Sequence, residues 1–522
     1  MRIHPPSAPH ISTGTLIATF FLMLAFAPPH AWPQLGTPAA SSQGTTATQL
    51  PLSGRSAQSG SVATTESAVP GTTTSVNTIN PSVQVQGPFS GSVSGTPFSG
   101  RLSLQEAVQR GLRFNLGSVG LSQLVQQAHG QSRVARSALL PNVTGSLAET
   151  VEQLNLRANG VRVTSPVPGF GIPSIVGPFN FFDLRARLSQ NVVDLTAWNN
   201  YRSSSEIVNA DRLSLRDARE LVVLAVGGAY LQVIAAGARV RSAQAQLETA
   251  KALYEQTLQQ RKVGLMAQVD VDRSEVQMLT QKQRLASLQN DLAKQKINLA
   301  RLTGLPPNNH YELSDDVPFA AAPSQDVDEA LKLAYAQRAD LKASERQIRA
   351  AQHTVSAARA ERLPSLSLAG DYGVIGVNPA QSHGTFSLTG TLRVQLWQGG
   401  RTEGDIEQAN ASLNQRRAEL DDLKRQIEAE VRNAYLDLEA ATSQVEVSKR
   451  NIQVTQETLE LTKQKFEAGV SDNLELVQAQ ESRAVADLDY INSLFAHNLA
   501  KLSLARATGS AAENLPQFLS TR

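Results

Sequence analysis

The sequence predicts a mainly α chain with a smaller transmembrane β portion. It reads as two copies of one unit, each a strand pair followed by a long coiled-coil helical hairpin. Three observations predict this. The chain repeats itself: LSLQEAVQRGL (Leu102 to Leu112) is echoed by QDVDEALKLAY (Gln325 to Tyr335), and Glu106 to Pro141 matches Glu329 to Pro364 at an offset of 223. Residues Asp405 to Ala468 hold neither Gly nor Pro and carry Val431, Leu438, Val445, Ile452, Leu459 and Phe466 every seven residues. Between the helical stretches lie short runs in which apolar and polar side chains alternate strictly.

In chain order, Leu16 to Ala27 is an apolar run of twelve residues behind Arg2, His4 and His10, the shape of a secretory signal over residues 1–31, with cleavage after Ala27 or Ala31. Residues 32–100 are rich in Ser, Thr, Gly, Pro and Gln with only Arg55 and Glu66 charged, a composition that predicts a disordered tail. The first repeat is expected over 101–310, a linker over 311–324, the second repeat over 325–510 and a short tail over 511–522. Within each repeat a short and a medium helix end in Leu-Pro, at Pro141 and at Pro364.

The strands follow. Phe182, Leu184, Ala186 and Leu188 alternate with Asp183, Arg185, Arg187 and Ser189, and Phe386, Leu388, Gly390, Leu392 and Val394 with Thr385, Ser387, Thr389, Thr391 and Arg393. Val143 to Val151 and Leu366 to Val374 read as their partners, and the extra residues of the first copy around Val151 to Phe179 as a surface loop. About ten residues with one apolar face suit a membrane barrel strand. Four strands cannot close a barrel, and open edges are not tolerated in lipid, so a spanning chain must oligomerise. Arg185, Arg187 and Arg393 then face the barrel lumen, since charge on the lipid side is costly.

The long helix of the first copy keeps the seven-residue register through Val226, Val233, Val240, Leu247 and Tyr254. At 1.5 Å per residue such a helix is a rod of roughly 95 Å. Gly264 and Gly469 end the two rods where a left-handed residue lets the chain turn, and helices return from Asp272 to Leu302 and from Asn473 to Ala507.

Composition excludes several functions. With 48 basic and 46 acidic residues there is no basic face for nucleic acid, and with no cysteine there is no disulfide framework, thiolate metal site or lipid-anchoring cysteine. No G-x-S-x-G, H-E-x-x-H or Walker loop occurs, so no enzyme, cofactor or metal site is expected. An exported periplasmic coiled-coil scaffold or adaptor without a pore explains the heptads but not two strand pairs at matching points of the duplication.

Over Leu102 to Gly509 the chain resembles the TolC-like outer-membrane efflux proteins. The resemblance rests on the duplication, the LSLQEAV opening, the Leu-Pro entries into strands, and the paired motifs RKVGLMAQVDV (Arg261 to Val271) and KFEAGVSDNLELVQAQ (Lys465 to Gln480). It implies a homotrimer in outer-membrane lipid. A 12-stranded β-barrel continues into a 12-rod α-helical periplasmic tunnel, which docks to a periplasmic adaptor (membrane fusion protein) coupled to an inner-membrane pump. Such ducts serve tripartite efflux pumps and type I secretion systems.

The resemblance also places an inward acid six positions after each turn glycine, here Asp270 and Glu475, as three-fold carboxylate rings favouring cations. Gln478 stands where a second acid is common, and Ser471 where some members have a closing Arg. Asp472 to Glu475 also reads as a capping box, so Glu475 is open to two readings, gate or cap. The turns, with Gly264, Ala267, Gly469, Ser471, Asp472 and Asn473, are the expected adaptor contact.

Overall fold

The computed structural model describes residues 61–68, 75–76, 79–95, 98–158, 173–308, 310–315, 319, 326–468 and 470–513. The signal segment, residues 32–60, Gly469, most of the 311–324 linker and residues 514–522 lie outside them. Each repeat opens with two short-to-medium helices: α1 (Leu104–Phe114) and α2 (Leu116–Ser137) in the first, α5 (Val327–Gln337) and α6 (Ala339–Ala360) in the second. Strands β4 (Asn142–Asn155) and β5 (Ile175–Val193) lead into α3 (Leu195–Lys262) and the returning α4 (Gln268–Thr303). In the second copy β7 (Ser365–Gly376) and β8 (Ser382–Arg393) lead into α7 (Arg401–Glu467) and α8 (Asn473–Ala507). The first strand pair runs past the expected ends, so residues 151–155 and 175–179 are strand rather than loop, and 159–172 fall outside the described residues.

Local chemistry sets the boundaries. Ser103 caps α1 through Glu106 N, Asp194 caps α3 through Ala197 N, and Asp472 caps α8 through Glu475 N, each satisfying a backbone donor the first turn leaves free. At its C-terminus α4 stops at Gly304, whose φ of +72° only glycine adopts cheaply. The 68 residues of α3 give a rod of about 100 Å at the α-helical rise.

The heptad seam is real: the expected Val226, Val233, Val431, Leu438 and Val445 are buried, and a second buried row runs three residues on from them. Val240, Leu247 and Tyr254 are half-buried, whereas Ala243, Ala250 and Thr257 are buried, as are Ala434, Ala441 and Ser448 in α7. Small side chains there let the helices approach closely enough for hydroxyls to pair: Thr257 with Ser274 of α4, and Ser448 with Ser493 of α8, both at 2.7 Å. Each long helix carries two half-length ones, α2 and α4 on α3, α6 and α8 on α7. One window of α3 is long and apolar enough to cross a membrane, but 67% of it is covered by the protein itself. It forms the core with Leu102, Leu104, Leu299 and Leu502 rather than meeting lipid.

Part of the stretch expected to be disordered is folded. Strands β1 (Val62–Ala68) and β2 (Ile79–Val85) form an antiparallel hairpin, and β3 (Gly100–Leu102) pairs in parallel with β6 (Tyr311–Leu313). Composition misleads here because the apolar surface to be covered belongs to the helices. Val83 fills the space left by Gly228 of α3, where a Cβ would stand 2.4 Å from its Cγ2. Ser75 and Val76 donate to Asp489 of α8 at 2.8 and 2.7 Å. A two-stranded hairpin is marginal alone and stable when docked on a preformed surface.

Candidate functional site

The four long strands form one antiparallel sheet in the order β4-β5-β7-β8. Residues opposite one another share a face. Leu147 lies opposite Leu184, Leu184 opposite Val374, Ala186 opposite Tyr372, and Tyr372 opposite Phe386, so one face is apolar across all four strands. Among the described residues nothing covers it: Phe386 is 80% exposed, Leu388 69% and Tyr372 67%. Among the described residues both outer strands, β4 and β8, pair on one side only.

The other face gathers the polar residues. Arg187 lies opposite Thr144 and Asp371, Arg185 opposite Ser146, and Arg393 opposite Ser365 at the sheet's end nearest the helices. The three arginines expected on one face are therefore on one face. Arg185 is held by Asp183 at 3.2 Å and by Asp371, and reaches Thr385 at 3.4 Å, while Asp371 also accepts from the Ser387 hydroxyl. Two carboxylates thus offset much of the positive charge of this face. Asp371 escaped sequence reasoning. Its position on the polar parity of β7 was the available signal, but its partners depend on a register between strands far apart in sequence.

At the other end of the rods the helices turn. Gly264 has φ +80°, Gly264 N donates to Arg261 O at 3.0 Å and Leu265 N to Gln260 O at 2.9 Å, a left-handed stop of the predicted kind. Ala267 begins α4 without a side-chain cap. Asp270 sits in the first turn of α4, paired with Arg273 at 3.3 Å, a partner the sequence reading missed although it lies one turn on. Asn473, 2% exposed, donates its amide to the Asp270 carbonyl at 2.9 Å, so the two turns are clasped within one chain.

In the second turn Asp472 accepts from Glu475 N at 2.9 Å, the cap that the spacing suggested. The Glu475 carboxylate is drawn back to its own turn, taking the Ser471 hydroxyl at 2.5 Å and Lys465 at 3.7 Å. Each acid therefore has a cation beside it. The turns are also apolar at their surface, with Leu265 78% and Val470 79% exposed. Among the described residues no grouping of His, Cys, Asp and Glu is suited to a metal ion.

A profile of the outer membrane efflux protein family matches residues 121–305 and 330–510, one block in each repeat. The chain belongs to the outer membrane efflux protein family. Members are transport proteins of the outer membrane, not enzymes, and this is a TolC-like chain of that kind. The pyoverdine export outer membrane protein OpmQ of Pseudomonas putida is 26% identical over 301 residues, 56% of this chain and 61% of that one. The match thus spans about three fifths of that relative's length. Among solved structures, VceC of Vibrio cholerae superposes with a TM-score of 0.66 at 18% identity, over 78% of this efflux protein and 97% of VceC. The CmeC outer membrane channel of Campylobacter jejuni gives 0.67 at 18%, over 80% and 89%. The β1–β2 hairpin precedes both blocks of the family match.

Proposed function

We propose that the chain is one of three identical subunits of an outer-membrane exit duct. The observation that carries this reading is the sheet with an uncovered apolar face and two open edges. In water that face and those edges would be a liability, and in lipid the face is satisfied while the edges must close. The strands alternate in direction from β4 to β8, so β8 of one copy meets β4 of the next antiparallel. Twelve strands from three copies close without a mismatched pair. Twelve residues at about 3.4 Å each, tilted as barrel strands are, span a hydrocarbon core. The polar face then lines the lumen, and the helical rods continue the conduit into the periplasm.

The exposed apolar turns at the far end are the surface on which a periplasmic adaptor, coupled to an inner-membrane pump, would dock. The export role of OpmQ supports transport outward. The test is to purify the mature chain in detergent, weigh the complex and record from planar bilayers. Three copies with stepwise conductance are expected; a water-soluble monomer without conductance, the behaviour of a periplasmic scaffold, overturns the reading.

In this duct Asp270 and Glu475 form acidic rings at the tip, each moderated by the cation beside it. Replacing both by Ala lowers cation preference in single-channel recordings, whereas Arg273→Ala raises it, because it frees the Asp270 charge. Unchanged selectivity in both variants would leave the two acids with structural roles only.

A further inference from the structure

A chain built of two repeats contains a sample of the contact it makes with its neighbours. Where the first repeat meets the second, β5 pairs with β7, and α3 packs on α6 and α8. Ser203 of α3 meets Thr354 of α6 at 3.2 Å, and Arg506 at the end of α8 forms an ion pair with Asp217 of α3 at 2.6 Å. The side chains of that pair are only 13% and 19% exposed.

Among the described residues the same contacts are missing at the outer flanks. Helix α6 lies between α3 and α7, but its counterpart α2, which packs on α3, makes no comparable contact with α7 among the described residues. As a result Ala357 of α6 is fully buried while its counterpart Val134 of α2 is 72% exposed. Likewise α8 packs on α3, yet α4, its counterpart, finds no such support from α7.

The repeat fixes which residues correspond. Ala229-Tyr230-Leu231 matches Ala434-Tyr435-Leu436, which makes Asp422 the counterpart of Asp217, and Arg301-Leu302-Thr303-Gly304 matches Arg506-Ala507-Thr508-Gly509, which makes Arg301 the counterpart of Arg506. Both Arg301 and Asp422 are exposed, one on each flank.

We infer that Asp422 of one copy forms an ion pair with Arg301 of the next, closing the ring of rods as Asp217 and Arg506 join the two halves of each chain. The residues around the pair agree. Arg216 holds Glu513 at 2.5 Å inside the chain, and their counterparts Asp421 and Asn308 are again an acceptor and a donor. The opposite charges set register as well as proximity, since each exposed rod could otherwise slide along its neighbour's small-residue seam. An isolated surface pair contributes little, but this one is buried on assembly and occurs three times around the ring. The inference rests on the trimeric reading above and names residues that hold it together.

The absence of cysteine makes the test clean. Arg301→Cys with Asp422→Cys, treated with a short bis-maleimide in membranes, gives covalent dimers and trimers on denaturing gels, and neither single variant does. Assembly itself is monitored by a second pair. Asn142 lies opposite Ser189 and Ser365 opposite Arg393, so Arg393 is the counterpart of Ser189. The internal pairing of Arg187 with Asp371 then becomes Thr391 with the neighbouring copy's Ala148. If Thr391→Cys with Ala148→Cys links copies while 301 and 422 stay unlinked, the ion pair is wrong and the barrel stands. If neither pair links and the detergent complex has the mass of one chain, the trimeric reading fails and takes the ion pair with it. Charge reversal gives an independent readout: Arg301→Glu or Asp422→Arg lowers the temperature at which the purified trimer dissociates, and the double reversal restores it. A double reversal no better than the singles overturns the inference.

Discussion

Replacing Leu388 by Arg eliminates the assembled channel from the outer-membrane fraction, while Thr389→Arg, one residue along the same strand, leaves it in place. Leu388 stands near the middle of β8 on the apolar face, 69% exposed in a single chain. An arginine at the mid-depth of a barrel's lipid face costs about 2–4 kcal/mol, and in the proposed trimer three copies insert together, so the assembly loses about 6–12 kcal/mol. Thr389 lies opposite Ala369 on the polar face that Arg187 and Arg393 share, where the proposed barrel would keep an arginine in water. The measurement is the amount of trimer in fractionated outer membranes. Equal amounts for both variants would mean that the two faces of this sheet see the same solvent, and the barrel would have to be abandoned.

Arg338→Met is the second large effect, and it acts far from the membrane. Arg338 is 1% exposed at the junction of α5 and α6, donating to Asp340 at 2.6 Å, Glu430 at 2.5 Å and the Ala507 carbonyl at 3.4 Å. Gly509, at φ +74°, lies against its backbone, with a Cβ there only 3.1 Å from the Arg338 Cα. Removing one partner from a buried charge cluster leaves the rest uncompensated and costs about 3–5 kcal/mol. The variant therefore melts well below the parent at neutral pH in far-UV dichroism.

The loss depends on pH. Burial pushes the Asp340 carboxyl up, but the hydrogen bonds and charge of Arg338 push it down further, so it is held below its ordinary value. A carboxylate with a depressed native pKa contributes stability that is present above its unfolded pKa and lost as pH falls through the native one. The gap between Arg338→Met and the parent narrows on acidification below the ordinary carboxylate range. A gap that stays constant there would place the role of Arg338 in packing rather than charge.

Much of this was legible in the sequence because it is local or periodic. The alternating strands, the glycine at 264 and the Asp472 cap each depend on residues a few positions apart, and the duplication shows as one pattern repeated at an offset of 223. The heptads gave one row of the seam, with Val226, Val233, Val431, Leu438 and Val445 buried where expected, but not the second, where close approach of the rods selected Ala243, Ala250 and Thr257. What stayed hidden depends on register or on distant partners. Asp371 could not be joined to Arg185 before β5 was known to pair with β7, and Arg338 could not be joined to Glu430 across 92 positions. Asp270 and Glu475 were legible as acids near the turns, but not Glu475 folded back onto Lys465.

The amino-terminal hairpin gives the molecule a fixed order of completion. Its anchors lie at the far end of the polypeptide: Ser75 bonds Asp489 across 414 positions, Thr64 meets Ser503 across 439, and Gln444 reaches the Val76 carbonyl across 368. A chain secreted amino terminus first releases this strap long before the helices that shelter it have emerged. Contacts so distant in sequence form late, because their loop-closure entropy must be met first. The strap seats only on a fully delivered subunit, so a nascent or truncated copy is left with its girdle unfastened.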